Sequence, residues 1–274
     1  MSLQSVASSA AIATDHTCAV QPEHTAHSLS HYFPDYFRAV QANTEPLRRA
    51  TYQLRHQVYC EELQFEPERA DALEHDSYDQ RAIHIAVKHI LSSALAGTVR
   101  IVTSQFKNEL LPIEQYFAGN FTNTVLAPAN FSRQHICEIS RLAVPAAIRC
   151  RTLSQQQAPS LERACSKLVA VALYLIAQIL CLRAGREHTY VMIEPALARA
   201  LRRVGLHFIQ IGEPIEFNGI RAPYYLDART TNATLSPEYL QLRVLLEKQL
   251  FDKNNSNRPQ MTLCYSAPEQ PAAC

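Results

Sequence analysis

The chain has 274 residues, of which 47% are hydrophobic and 19% charged, with a formal net charge of +1. That length and composition suit one large domain or two small ones around a sizeable buried core. The near-neutral balance excludes a global electrostatic case for nucleic acid, whose binding leans on a concentrated basic surface.

Eight cysteines are scattered along the chain, and none forms a C-x-x-C pair. The spacing argues against a structural zinc and against a disulfide framework, and suits a reducing cytoplasm. The N-terminus lacks the basic and continuously apolar regions of a secretory signal. Leu168 to Leu182 is the most apolar stretch. It is interrupted by Gln178 and falls short of the roughly 18 to 20 residues needed to span a bilayer, so a buried core helix is expected and no transmembrane segment.

Residues 1–30 are rich in Ser, Ala, Thr and His without a sustained period, and read as a flexible leader. Its histidines suit a polar tail better than a metal site. A single domain is expected over 31–252, and a loose tail, with Asn and Pro clusters, over 253–274. Within the domain, Phe37 to Gln41 reads as a short strand. Glu45 to Leu63 has Leu47, Leu54, Val58 and Leu63 near one helical face. Ile83 to His89 alternates apolar and polar residues, Ser93 to Thr103 is a strand with Gly97 marking a bulge, and His135 to Val144 is the next strand.

One long helix is expected from Ser160, its cap, to a stop at Gly185, with apolar residues at three- and four-residue spacing. Thr189 to Ile193 follows as a strand. Pro195 opens a helix that Gly205 closes. Phe208 to Phe217 and Ala222 to Leu226 read as strands joined near Asn218-Gly219, and Pro237 to Leu250 as a terminal amphipathic helix. The order predicts an α/β (α+β) arrangement: a mixed, mainly antiparallel central sheet flanked by helices.

The chemistry concentrates in a few segments. In Glu138-Ile-Ser-Arg-Leu-Ala-Val144, an ideal strand puts Glu138 and Ser140 on one face and Arg141 on the other. Charged groups in a central strand are costly unless they are paired or used. A satisfied buried salt bridge is the structural alternative to a functional site. Arg55 and Tyr59 lie one helical turn apart in Leu54-Arg-His-Gln-Val-Tyr59. Glu74-His-Asp-Ser-Tyr-Asp79 offers Asp76 and Asp79, and Arg100 sits inside the apolar run 98–102. Singly, each is more often a surface charge or an ion-pair partner; together they could line one cleft.

This ordered series, over roughly residues 50 to 145, resembles the motifs of acyl-homoserine-lactone (autoinducer) synthases, which have a GNAT-like fold. The resemblance implies a cytoplasmic N-acyltransferase that moves an acyl chain from acyl carrier protein to an amine. It places Arg55, Asp76, Asp79, Arg100, Glu138 and Arg141 at the family's charged positions. The family carries a tryptophan after the Arg-containing helix. This chain has no Trp, and Phe65 is the expected occupant, which weakens the case for S-adenosylmethionine as acceptor. Ile193-Glu-Pro, Arg202-Arg-Val-Gly-Leu, Gly212-Glu-Pro and Arg221-Ala-Pro-Tyr resemble acyltransferases of exosortase (PEP-CTERM) systems, which are similar also to N-acyl amino acid synthases.

From the resemblance, Glu138 is the expected base and Arg141 marks the region stabilising the oxyanion. A bulge in the strand would let the two approach one region. Arg55, Tyr59, Phe65, Asp76, Asp79, Arg100 and Ser140 are the expected substrate-binding residues. Cys137 adjoins the base but faces away, toward the core. No tightly bound cofactor and no metal are expected beyond the acyl thioester donor. Pro145 to Arg151 has no glycine to wrap a pyrophosphate, which favours carrier protein over acyl-CoA. Arg199, Arg202 and Arg203 offer a basic face for an acidic carrier, or a plain solvated one. The alternatives are an acyl-CoA-dependent N-acetyltransferase and a non-catalytic acyl- or lipid-binding protein of the same fold.

Overall fold

The computed structural model describes residues 28–149 and 160–252. The sequence expectations for 1–27 and 253–274, and for the end of the glycine-free segment, lie outside those residues. The first element is a helix the sequence reading did not anticipate, α1 (Leu29–Tyr36), whose Phe33 is fully buried and stacks on Phe37. It contains Pro34 and only two turns, too few for a visible period. Then come β1 (Phe37–Gln41), α2 (Glu45–His56) with a π-helical turn at Gln57–Glu62, β2 (Ala82–His89), β3 (Leu95–Thr103) and the short α3 (Pro112–Tyr116). Next are β4 (Ile136–Ala143), α4 (Ala146–Arg149), α5 (Ser160–Ser166), α6 (Val169–Arg183), β5 (His188–Ile193) and α7 (Pro195–Val204). The C-terminal part holds β6 (Ile209–Gln210), β7 (Ile215–Glu216), β8 (Ile220–Asp227), α8 (Thr231–Thr234) and α9 (Pro237–Phe251).

The strands join one mixed sheet in the order β1-β2-β3-β4-β5-β8-β6, with β7 also on β8. Every pairing is antiparallel except β4 with β5, which is parallel. The expected mainly antiparallel sheet flanked by helices is therefore the architecture.

The core lies between one face of the sheet and α6. Ile85, Val99, Ile101, Cys137, Ile139 and Val191 pack there against Val169, Leu173, Ile176 and Leu180. Gly97 explains how close the helix comes. A Cβ there would stand 2.9 Å from Leu173 Cδ1 and 3.1 Å from Val169 Cγ1, and the β2–β3 register shifts beside it. At Gly205, φ is +108°, and a Cβ would approach the Thr234 carbonyl to 2.3 Å, so the helix stop read from the sequence also permits a close backbone crossing.

Two expectations are corrected. The helix from Ser160 to Gly185 is two helices, α5 and α6, bent by 49°. Ser166 Oγ donates to the Arg163 carbonyl at the break, a local bond that competes with the helical ladder. The strand expected over 208–217 is two short pieces, each pairing with β8. Among the described residues no single helix is long and apolar enough to cross a membrane.

Candidate active site

Strand alternation puts His84, Arg100, Glu138 and Ser140 on the sheet face opposite α6: His84 pairs with Arg100, Arg100 with Ser140, and Val102 with Glu138. Arg141 would point away from an ideal strand, but its φ is +52° and the β3–β4 register shifts between Thr98 and Arg100. The chain bulges there and brings the Arg141 guanidinium onto the polar face. Tyr59 pins the bulge. The π-helical turn after α2 carries this residue, its hydroxyl donates to the Leu142 carbonyl at 2.7 Å, and its ring lies 5.6 Å from the Arg141 guanidinium carbon.

The expected charged residues converge on one network. Arg55, 1% exposed, donates to Glu74 at 2.5 Å and to both Asp79 oxygens at 2.7 and 3.1 Å. Arg100 forks onto Asp76 at 2.6 and 2.8 Å, reaches Asp79 at 2.8 Å, and donates to Ser140 Oγ at 3.1 Å. Arg141 lies 3.2 Å from Glu66, 3.3 Å from Glu74 and 3.5 Å from Asp76. Its contact with Glu74 is a charge contact without an aligned hydrogen bond. Burial pushes the Asp79 carboxyl up, but Arg55 and then Arg100 outweigh it and hold the group well below the usual carboxylate range. Burial lowers His84 to about 4, so its imidazole is neutral and three guanidiniums meet four carboxylates.

Glu138 stands apart from this mutual neutralisation. It is 1% exposed and forms no ion pair among the described residues; its Oε2 accepts the Ile113 N–H at 2.7 Å. Burial pushes its carboxyl up to about 8, against the Ile113 hydrogen bond and the Arg100 charge. Its neighbours on this face form a second apolar cluster of Val102, Leu111, Ile113, Phe117, Tyr190 and Tyr225. A carboxyl in such surroundings shares its proton near neutral pH, as a general base or acid must.

The backbone opens beside it. The parallel β4–β5 ladder runs from Ile136↔His188 to Glu138↔Tyr190 and stops there, while β4 continues to Ala143 and β5 to Ile193. Glu138 sits at the crotch of this fork and the Arg141 bulge lies on its outer arm. Cys137 points the other way, its sulfur 3.3 Å from that of Cys181 on α6.

Phe65 lies outside the ionic network, half-buried, with the Arg221 guanidinium carbon 5.8 Å from its ring centre. Arg221 is also 2.7 Å from Glu194, so two of the C-terminal motifs meet across β5 and β8. Arg199, Arg202 and Arg203 are exposed along α7, whose Ala198, Leu201 and Val204 are buried. The sequence reading missed Glu74, which is fully buried and joins Arg55 to Arg141. It lay inside a quoted motif, and its pairing was the missing signal. The Ile113 N–H, a backbone group, gave none.

Residues 54–157 match the family model described as the acetyltransferase (GNAT) domain. The match runs from the end of α2 through β4 and takes in Arg55, the rest of the network and Glu138. That stretch is similar to a GNAT domain, and the sheet built around it has the matching mainly antiparallel architecture. Three solved structures are similar to it. The acyl-homoserine-lactone (AHL) synthase LasI shares 15% identity over 73% of this chain and 94% of its own, with a TM-score of 0.54. FeeM, an N-acyl amino acid synthase from uncultured soil microbes, shares 16% over 73% and 94%, TM-score 0.51. BjaI, a CoA-dependent acyl-homoserine lactone synthase solved with SAM and isopentyl-CoA, shares 18% over 78% and 89%, TM-score 0.51. At these identities the likeness establishes the shared fold. No curated protein sequence matches the chain.

Proposed function

We propose that the chain is an N-acyltransferase that moves a fatty acyl group from an acyl carrier protein thioester to the amine of an amino acid or amino-acid derivative. The observation that carries this reading is Glu138: a buried carboxyl with a pKa of about 8, at the crotch of the β4–β5 fork and against an apolar cluster. The amine nitrogen attacks the thioester carbonyl carbon, the new C–N bond forms, and the C–S bond breaks to release the thiol. The amine proton passes through water to Glu138, which must be ionised to accept it and which returns the proton to the departing thiolate sulfur. The N–H groups of β4 beyond Glu138, released from the ladder, are the donors for the developing oxyanion. Arg55, Asp76, Asp79, Arg100 and Ser140 act as a rigid wall that fixes Arg141 and the acceptor pocket, with Tyr59 holding the bulge and Phe65 lining its edge.

The donor is a carrier protein rather than CoA on two grounds. The turn after β4 has no glycine, and its Ala146 N–H is already bonded at 2.9 Å to Glu62, which also holds Arg149 at 2.7 Å. A carboxylate thus covers the amide that an incoming pyrophosphate would use. The exposed arginines of α7 follow directly from β5 and suit an acidic carrier. We read the C-terminal motifs as those of the exosortase-associated branch, and two of them meet in the Glu194–Arg221 pair. Four described cysteines, Cys60, Cys137, Cys165 and Cys181, are free and buried, in keeping with a cytoplasmic site.

The test is mass spectrometry of lipid extracts from cells expressing the chain or its Glu138→Gln variant. A new N-acyl amino acid or acyl-amine, lost in the variant, is expected. Turnover with acyl-CoA but not with acyl carrier protein would replace the donor, and the absence of any acylated product would overturn the reading.

A further inference from the structure

Arg221 belongs to a motif that the reaction outlined above leaves unused. Its place follows from the register. Glu138 pairs with Tyr190, and Tyr190 with Tyr225. Alternate residues of β8 share a face, so Arg221 and Tyr225 lie on the same side of the sheet as Glu138. Arg221 is four residues from Tyr225 in the direction in which β4 runs from Glu138 to Arg141. The two arginines therefore stand at the open end of the fork, one on each side.

The contacts of Arg221 close that opening. Its guanidinium lies over Phe65, which follows the turn that holds the bulge. The hairpin carrying Arg221 is tied to α3 by the Phe217 ring, 4.5 Å from that of Tyr116, and Arg221 donates to the Asn218 carbonyl at 2.9 Å. Its one anionic partner among the described residues is Glu194, at 2.7 Å, half of whose side chain is exposed. Such a half-exposed pair is weak and cheaply exchanged. The remaining N–H groups of the guanidinium carry no hydrogen bond among the described residues, and its planar fork matches a carboxylate.

We propose that Arg221 is the specificity-determining residue for the acceptor: it takes the acceptor's carboxylate in exchange for Glu194, so the acceptor is a free α-amino acid. This rests on the acyl-transfer reading and sharpens its acceptor class. The charge layout fits such a zwitterion. Across the opening, Glu66, Glu74, Asp76 and Asp79 outnumber Arg55, Arg100 and Arg141, so the ammonium end is favoured there before it loses its proton. The same acidic surplus disfavours the phosphate of a donor arm on that side.

The test uses the full chain with acyl carrier protein charged with a long-chain acyl group, and the twenty L-amino acids beside their carboxamides. Wild type is expected to prefer the best acid over its amide by about 10- to 100-fold in kcat/KM, the range of a hydrogen bond to a charged group. In Arg221→Ala that ratio falls to near one while the rate with the amide is kept. Arg221→Lys recovers part of it. Glu194→Gln, which removes the competing carboxylate, lowers the KM for the acid without raising kcat. Equal use of acid and amide by wild type overturns the role of Arg221 and leaves acyl transfer standing. So does an Arg221→Ala variant whose KM rises for the donor instead of the acceptor. Inactivity of wild type toward acids and amides alike overturns acyl transfer itself.

Discussion

The two faces of the central sheet are built from alternate residues of the same strands, yet they have different chemistry. Toward α6 point Ile85, Val99, Ile101, Cys137 and Ile139, all buried and apolar. Toward α2 and α3 point His84, Arg100, Glu138 and Ser140, and the first three are also buried. A one-residue offset separates a face that supplies hydrophobic stabilisation from one whose burial is costly unless every charge is answered. On the polar face the three guanidiniums answer all but one of the four carboxylates, and Glu138, with no ion pair among the described residues, stands apart as the group proposed for proton transfer.

The largest separation is expected at Glu138. Glu138→Gln should lower kcat/KM by about 10²–10⁴-fold without unfolding the protein, measured as N-acylation rate beside a thermal melt. Its pKa is raised, so wild-type stability is fullest below the unfolded value of 4.5 and falls as pH rises to about 8, where the folded group ionises. The variant should lack that loss. A variant equally active, or one that melts earlier at pH 8, would break the distinction.

The network should respond in stability as well as activity. Arg100→Met leaves Asp76 and Asp79 under-compensated and should cost about 3–5 kcal/mol in denaturant unfolding. Asp79 is held low by Arg55 and Arg100 against burial, so its contribution is present above 3.8 and is lost as pH falls through its folded value. The variant's acid-unfolding midpoint should therefore move up. On the other face, Ile139→Ala should cost about 2–5 kcal/mol by cavity formation, with the acylation pH profile unchanged where the protein remains folded. Tyr59→Phe, which loses one hydrogen bond to the Leu142 carbonyl, should cost about 1 kcal/mol and slow acylation more than it weakens folding, because the bulge is released.

How far these faces were legible in the sequence depends on the kind of signal. The strands at 37–41, 82–89, 95–103, 136–143 and 188–193 follow from alternation and apolar runs, and Pro195 and Gly205 mark α7 by backbone chemistry. Helix α1 was hidden by its length and by Pro34, and the break after Ser166 by an unbroken apolar period. At the site, the ordered charges at 55, 76, 79, 100, 138 and 141 were visible as motifs, but which of them neutralise each other was not. Glu74 is fully buried between Arg55 and Arg141, whereas Asp76 is partly exposed beside Arg100 and Arg141. The hold on Glu138 is a backbone N–H, identical at every residue and therefore silent in sequence.

The most direct measurement is the pH dependence of kcat/KM for acyl transfer from acyl carrier protein to an amino acid, in wild type and in Glu138→Gln. With Glu138 as the proton acceptor, the wild-type rate rises with pH through an apparent pKa of about 8, and that rise is absent in the variant. The same profile in both proteins would contradict this role and move proton transfer to another group.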